Sequence, residues 1–156
     1  MPTSNAIDIP KADWLDQVEP PELLIALAAR QMQDTMNAVL RRHSLKLIEW
    51  RILRCLQTDG ILTICDLSEL AVVDRTVASR MVDKLSERGL LVKKALKADR
   101  RFAQVSLSDA GRVLLEEAEP NVHLARKRLF KNMSLDEVNT LNGCLQKFIS
   151  NTASKR

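Results

Sequence analysis

Apolar residues recur three and four apart along most of the chain, and one stretch breaks that period. Behind Pro20 and Pro21, which sit where a first helical turn tolerates proline, Leu23, Leu24, Leu27, Ala28, Met32, Met36, Val39 and Leu40 predict a long amphipathic helix over 21–42. The run "LIEWRILRCLQTDG" predicts a second helix, with Trp50, Leu53 and Leu56 on one face and Gly60 as its stop. A third, shorter helix is expected after a capping Thr63, with Asp66 in its first turn and Leu67, Leu70 and Ala71 inward. Asp74 is expected to cap a fourth through "RTVASRMVDKLSERG", ended by Gly89. Its Val77, Met81 and Leu85 are spaced four apart as the inner face, and Thr76, Ser79, Arg80 and Asp83 form the outer one.

The period then shortens. "LLVKKAL" and "FAQVSLS" tolerate a β conformation, and the polar "KADRR" between them suits a hairpin tip. From Ser108 the helical pattern returns in "DAGRVLLEEAEPNVHLARKRLF", where Pro120 is expected to introduce a kink, and "SLDE" (Ser134 to Glu137) is a capping box opening a terminal helix. The fold class that follows is mainly α with a small β-hairpin.

Composition narrows the possibilities. A chain of 156 residues with 46% hydrophobic positions can bury one sizeable core. No run reaches the ~18 apolar residues of a membrane span and no secretory leader pattern opens the sequence, so a cytoplasmic protein without a membrane partner is expected. Three widely spaced cysteines, Cys55, Cys65 and Cys144, form neither a disulfide framework nor a metal-ligand pattern. Cys55 and Cys144 fall in helices where buried, inert thiols are expected, while Cys65 near a helix start is the more ambiguous of the three. His43 and His123 lack a paired nucleophile or carboxylate, and the four glycines build no phosphate loop. No enzyme, cofactor or metal is expected.

Charge distribution changes the picture more than net charge does. The chain carries +4, yet residues 75–101 hold nine Lys or Arg against three acids, which is +6 and leaves −2 for the remainder. Residues 1–20 form an acidic arm. A basic concentration of this kind is the footprint of a polyanion partner. It coincides with a short helix, a turn and a second helix with a polar outer stripe, the parts of a helix-turn-helix, followed by a hairpin in the place of a wing. Arg80 is suited to a bidentate pair with guanine, Arg75, Thr76 and Ser79 to bases or phosphates, and Lys84, Arg88 and Lys94 to phosphates. Lys97, Asp99, Arg100 and Arg101 complete the set at the hairpin tip, with Asp99 placed to orient a neighbouring arginine. A solvated helix face is the plainer explanation for the outer stripe alone, and a lysine-protected edge strand would account for Lys93 and Lys94. Neither explains "DRR". A winged-helix module that binds an acidic protein surface remains the alternative from another class.

The order of parts and several motifs resemble the multiple antibiotic resistance regulator (MarR) family of winged-helix repressors over roughly residues 20–150. The most specific piece is "DRRFAQVSLSDAG", supported by "EWRIL" and "SRMVDKLSERGLL". The resemblance implies a winged helix-turn-helix region over 43–107 and a helical dimerisation region over 21–42 and 108–152. It implies that Asp99 and Arg101 are the wing pair, that Arg101 is the minor-groove arginine, and that Thr76, Ser79 and Arg80 are recognition-helix positions. It further implies a homodimer on a pseudo-palindromic operator in double-stranded DNA, with repression relieved by a small aromatic or acidic effector in the cleft between dimer helices and winged domain. His43, Trp50 and Arg112 are candidates to line that cleft. The apolar stripes Val113, Leu114, Val122 and Leu129, and Val138, Leu141, Leu145 and Phe148, are expected to need a partner chain. Some regulators of this fold sense oxidants through a cysteine early in the first helix, and residues 1–54 contain none. Cys65 keeps a thiol switch as a rival to the ligand.

Overall fold

The computed structural model describes Val18, residues 21–94 and residues 103–152. Helix α1 (Pro21–Leu40) passes through a 3-10 turn (Arg41–His43) into α2 (Leu47–Asp59), and then come β1 (Leu62–Thr63), α3 (Ile64–Leu70) and α4 (Arg75–Glu87). Strands β2 (Leu91–Lys94) and β3 (Gln104–Leu107) precede the long α5 (Asp109–Leu129) and α6 (Leu135–Thr152).

The core lies where α2, α3, α4 and β3 meet the middle of α5. Ile52, Leu53, Leu67, Val82, Leu85, Val105, Leu115 and Val122 are all buried there, with Leu40 of α1 closing one side. Each such side chain contributes about 1.5–3 kcal/mol by leaving water. The inner face of α4 is Ala78, Val82 and Leu85, while Val77 and Met81 are only half-buried. A strict four-residue step drifts about 40° per repeat around a helix of 3.6 residues per turn, and steps of four and three hold one face. Leu70, expected inward on α3, is exposed, and Ile64 is buried instead. Val122 is likewise buried within the chain and needs no partner.

The two strands expected of the hairpin pair as β2 and β3, its tip lying outside the described residues, and they gain a third strand, giving an antiparallel sheet of order β1-β3-β2. Leu62 pairs with Val105, Leu91 with Leu107 and Lys94 with Gln104. Thr63 ends β1 and also caps α3: its hydroxyl accepts from the Asp66 N–H at 3.2 Å, and its own N–H donates to the Asp66 carboxylate at 2.8 Å. Two residues in β1 carry too little alternation to be read as a strand from sequence.

Caps fix the other helix starts. Ser108 Oγ accepts from the Gly111 N–H at 3.0 Å and donates to the Gly89 carbonyl at 2.7 Å, tying α5 to the end of α4. Gly111 permits that approach, because a Cβ there would collide with the Leu90 carbonyl oxygen. The Ser134–Glu137 capping box of α6 is present, and α5 runs helical through Pro120. The Asp74 side chain makes no cap bond, contrary to expectation; only its carbonyl joins α4, accepting from the Ala78 N–H at 2.8 Å.

Candidate nucleic-acid interface

Burial of Ala78, Val82 and Leu85 turns the opposite face of α4 outward. Arg75, Thr76, Arg80 and Asp83 are exposed along it and Ser79 is half-buried, so the first two turns present a contiguous polar and basic surface. The turn before α4 holds Val72 at φ 56°, a left-handed conformation that a β-branched side chain rarely adopts. Arg75, Arg80 and Lys94 have no ion-pair partner among the described residues. Their charge is available to an outside anion. Lys93 instead donates to Asp83 at 2.7 Å, which straps strand β2 to α4. Lys97, Asp99, Arg100 and Arg101 lie outside the described residues.

Lys84 and Arg88 meet a group that the sequence reading passed over. Glu49 of α2 is only 1% exposed, the one buried charged or polar side chain among the described residues. Its Oε1 accepts from Lys84 Nζ at 2.8 Å, and its Oε2 accepts from the Lys46 N–H at 2.9 Å and lies 3.5 Å from Arg88 Nη1. Desolvation pushes the carboxyl pKa up, but the Lys84 and Lys46 hydrogen bonds and the charges of Lys84 and Arg88 outweigh it and hold Glu49 below its ordinary value. Arg88 Nη2 also donates to the Ser44 carbonyl at 3.0 Å. The signal was available: Glu49 stands three, four and seven residues before Ile52, Leu53 and Leu56, on the stripe that enters the core.

The three effector candidates have different surroundings. Trp50 is buried at 6% exposure, its ring faced by the guanidinium carbons of Arg54 at 5.8 Å and Arg126 at 5.6 Å. Half-buried His43 shares a hydrogen bond of 3.0 Å with Asn121 of α5. Arg112 is exposed at the start of α5, about 13 Å along the axis from Asn121 at 1.5 Å per residue. A cleft of about 680 Å³ opens elsewhere, between the end of α1, the start of α2 and α4, lined among others by Asp34, Asn37, Arg41, Lys46, Glu49 and Lys84. Of the thiols, Cys55 is half-buried, and burial followed by the Asp59 charge raises its pKa, whereas Cys65 is exposed. Cys144, expected to be buried, is exposed as well, because α6 packs none of its residues into this chain's core.

A profile of the MarR family matches residues 45–102, which include α2, β1, α3, α4 and β2 and end before β3. The uncharacterised helix-turn-helix transcriptional regulator YwaE of Bacillus subtilis is 30% identical over 113 residues, 72% of this chain and 66% of that protein. Among solved structures, Bordetella bronchiseptica BpsR, described for regulation of its DNA binding by 6-hydroxynicotinic acid, superimposes with a TM-score of 0.78 at 22% identity, over 83% of this chain and 98% of that one. A cysteine-to-serine variant of E. coli MarR complexed with operator DNA gives a TM-score of 0.76 at 24% identity, over 88% and 99%. Among the described residues no helix is long and apolar enough to cross a membrane.

Proposed function

The chain belongs to the MarR family of DNA-binding transcription regulators, and from that premise we propose that it is a homodimeric repressor of a pseudo-palindromic operator, released by a small acidic aromatic effector. The observation that carries this reading is the outward face of α4, where Arg75, Thr76, Ser79 and Arg80 stand together beside the β2 lysines. An α-helix fits the major groove, and an arginine there pairs bidentately with guanine. Arg80 reads a base, Arg75, Thr76 and Ser79 contact bases or phosphates, and Lys94, Lys97 and Arg100 hold phosphates. Arg101, oriented by Asp99, enters the minor groove. Residues 43–107 form the DNA-binding unit, and residues 21–42 and 108–152 pair two copies. The protein works in the cytoplasm and catalyses no reaction.

An acidic effector is favoured by the 6-hydroxynicotinic acid named for BpsR and by the cleft beside α4, where Arg41 and Lys46 stand against Asp34 once Lys84 is set against Glu49. It releases DNA to the extent that it binds better to the dimer geometry with mismatched reading helices. The raised pKa of Cys55 and the lack of a second cysteine close to Cys65 in sequence favour a ligand over a thiol switch.

The test is binding of the full chain to DNA upstream of its own gene across a salt series. Affinity falls with a log-log slope of about −0.9 per phosphate neutralised, and Arg80→Ala costs about 1–3 kcal/mol while relaxing one base position. Binding that ignores salt, or that meets no upstream DNA, refutes the reading. Binding to an acidic protein with no DNA preference replaces it with the interaction module.

A further inference from the structure

We propose that Glu49 is the positioning residue of DNA recognition: it clamps the C-terminal half of α4 to α2, so that Lys84 and Arg88 serve the pose of the reading helix and not the phosphates. The inference rests on the proposed DNA-binding function. Ala78, Val82 and Leu85, with half-buried Met81 packed beside them, seat α4 on the core, and contacts of that kind are non-directional. They set its depth more firmly than its roll. Charge-assisted hydrogen bonds are directional, and both Glu49 oxygens make them or lie beside a guanidinium: Lys84 at 2.8 Å on one, Arg88 at 3.5 Å on the other.

The same carboxylate is fixed from behind. Lys46 N–H donates to Glu49 at 2.9 Å, and the next N–H, of Leu47, donates to Asn37 Oδ1 of α1 at 2.8 Å. A continuous polar chain therefore runs from α1 through α2 to α4, and Arg88 adds a second tie at the Ser44 carbonyl. Thr76, Ser79 and Arg80 make no side-chain hydrogen bond among the described residues, so the reading end projects from a clamped end. A buried ion pair adds little stability over an apolar pair of the same shape, which leaves specificity of geometry as its use here. Lys84 is half-exposed and has donors left over, so its bond to Glu49 at 2.8 Å fixes where its ammonium stands, and whether it also meets a phosphate is what the salt slope reads.

Glu49→Gln tests this, since it keeps the volume and the Lys46 hydrogen bond and removes the charge. The full-length variant is compared with wild type on upstream operator DNA and on unrelated DNA of equal length, each over a salt series. The expected result has two parts. Discrimination between the two DNAs falls by about tenfold or more, and the slope on unrelated DNA steepens by about 0.9 for each freed cation that finds a phosphate. Absence of either part overturns the proposal, including an equal loss on both DNAs at unchanged slope, which is what plain structural damage would give. If Glu49→Gln fails to fold, Lys84→Met decides, with Glu49 still held by Arg88 and Lys46. Its slopes match wild type if Lys84 is a positioning group, and flatten by about 0.9 per copy if it is a phosphate contact. A wild-type chain that binds no operator would instead refute the proposed function itself.

Discussion

Helices α2 and α6 are both amphipathic, and their apolar faces meet different fates. Leu47, Trp50, Ile52, Leu53 and Leu56 of α2 all enter the core of their own chain. In α6, Leu135 is 75% exposed, Phe148 50% and Leu141 40%. The first half of α1 matches α6, with Leu23, Leu24 and Leu27 exposed. The apolar stripe of α2 is thus covered by its own chain, whereas α6 and the first half of α1 leave apolar side chains exposed along their length, the pattern of a surface that meets a partner. The winged-helix part exposes Ile61, Leu70, Val72 and Val92 outside its core. Period alone tells that a helix has an apolar face. Whether the same chain covers it is a tertiary fact, and the contrast follows the proposed division between a part that reads DNA and a part that joins copies.

The largest expected effect breaks or upholds that contrast directly. Leu53→Ala removes a fully buried side chain and costs about 2–5 kcal/mol, independent of protein concentration. Leu141→Ala leaves intrachain packing nearly intact, so its effect enters through association and varies with concentration. Thermal melts of both variants at two concentrations separate them, and a concentration-independent loss of the same size for Leu141→Ala would refute the division.

Acid gives the next contrast, since Glu49 stabilises the closed part alone. Its folded pKa lies below the ordinary 4.5, so an unfolded chain takes up its proton first as pH falls. The Glu49 contribution is complete above that ordinary value and is lost below it, as pH falls through the folded pKa. Urea unfolding of wild type and Glu49→Gln should therefore converge in acid and diverge toward neutral pH. A constant gap would remove the charge from the account. Smallest is Val72, whose left-handed backbone suits glycine: Val72→Gly is expected to stabilise by about 0.5–1 kcal/mol. Loss of stability in a urea titration would place an unrecognised packing role on that side chain.

Much of this fold was legible because its helices carry strong periodic and capping signals. Ser108 and the Ser134–Glu137 box mark their helix starts in sequence and in structure alike. The strand β1 was not legible, since Leu62 and Thr63 become a strand only by pairing with Val105 and Gln104. Ala78 was overlooked as an inner residue because a methyl group adds little to an apolar pattern, although its position faces the core. Glu49 was the larger omission. An acid on a buried stripe looks like noise until Lys84 and Arg88, 35 and 39 positions later, are folded against it. Of the outer face, Arg75, Thr76 and Arg80 were readable because solvent exposure follows from where the apolar residues are not.

The most direct test of the central claim, that one part closes on itself and the other joins two copies, is sedimentation equilibrium of the full chain at micromolar concentration. A species of twice 17.6 kDa is expected, reduced to a folded, monomeric chain by Leu141→Asp with Phe148→Asp. A wild-type chain that sediments as a monomer, or a doubly substituted chain that stays dimeric, would contradict it.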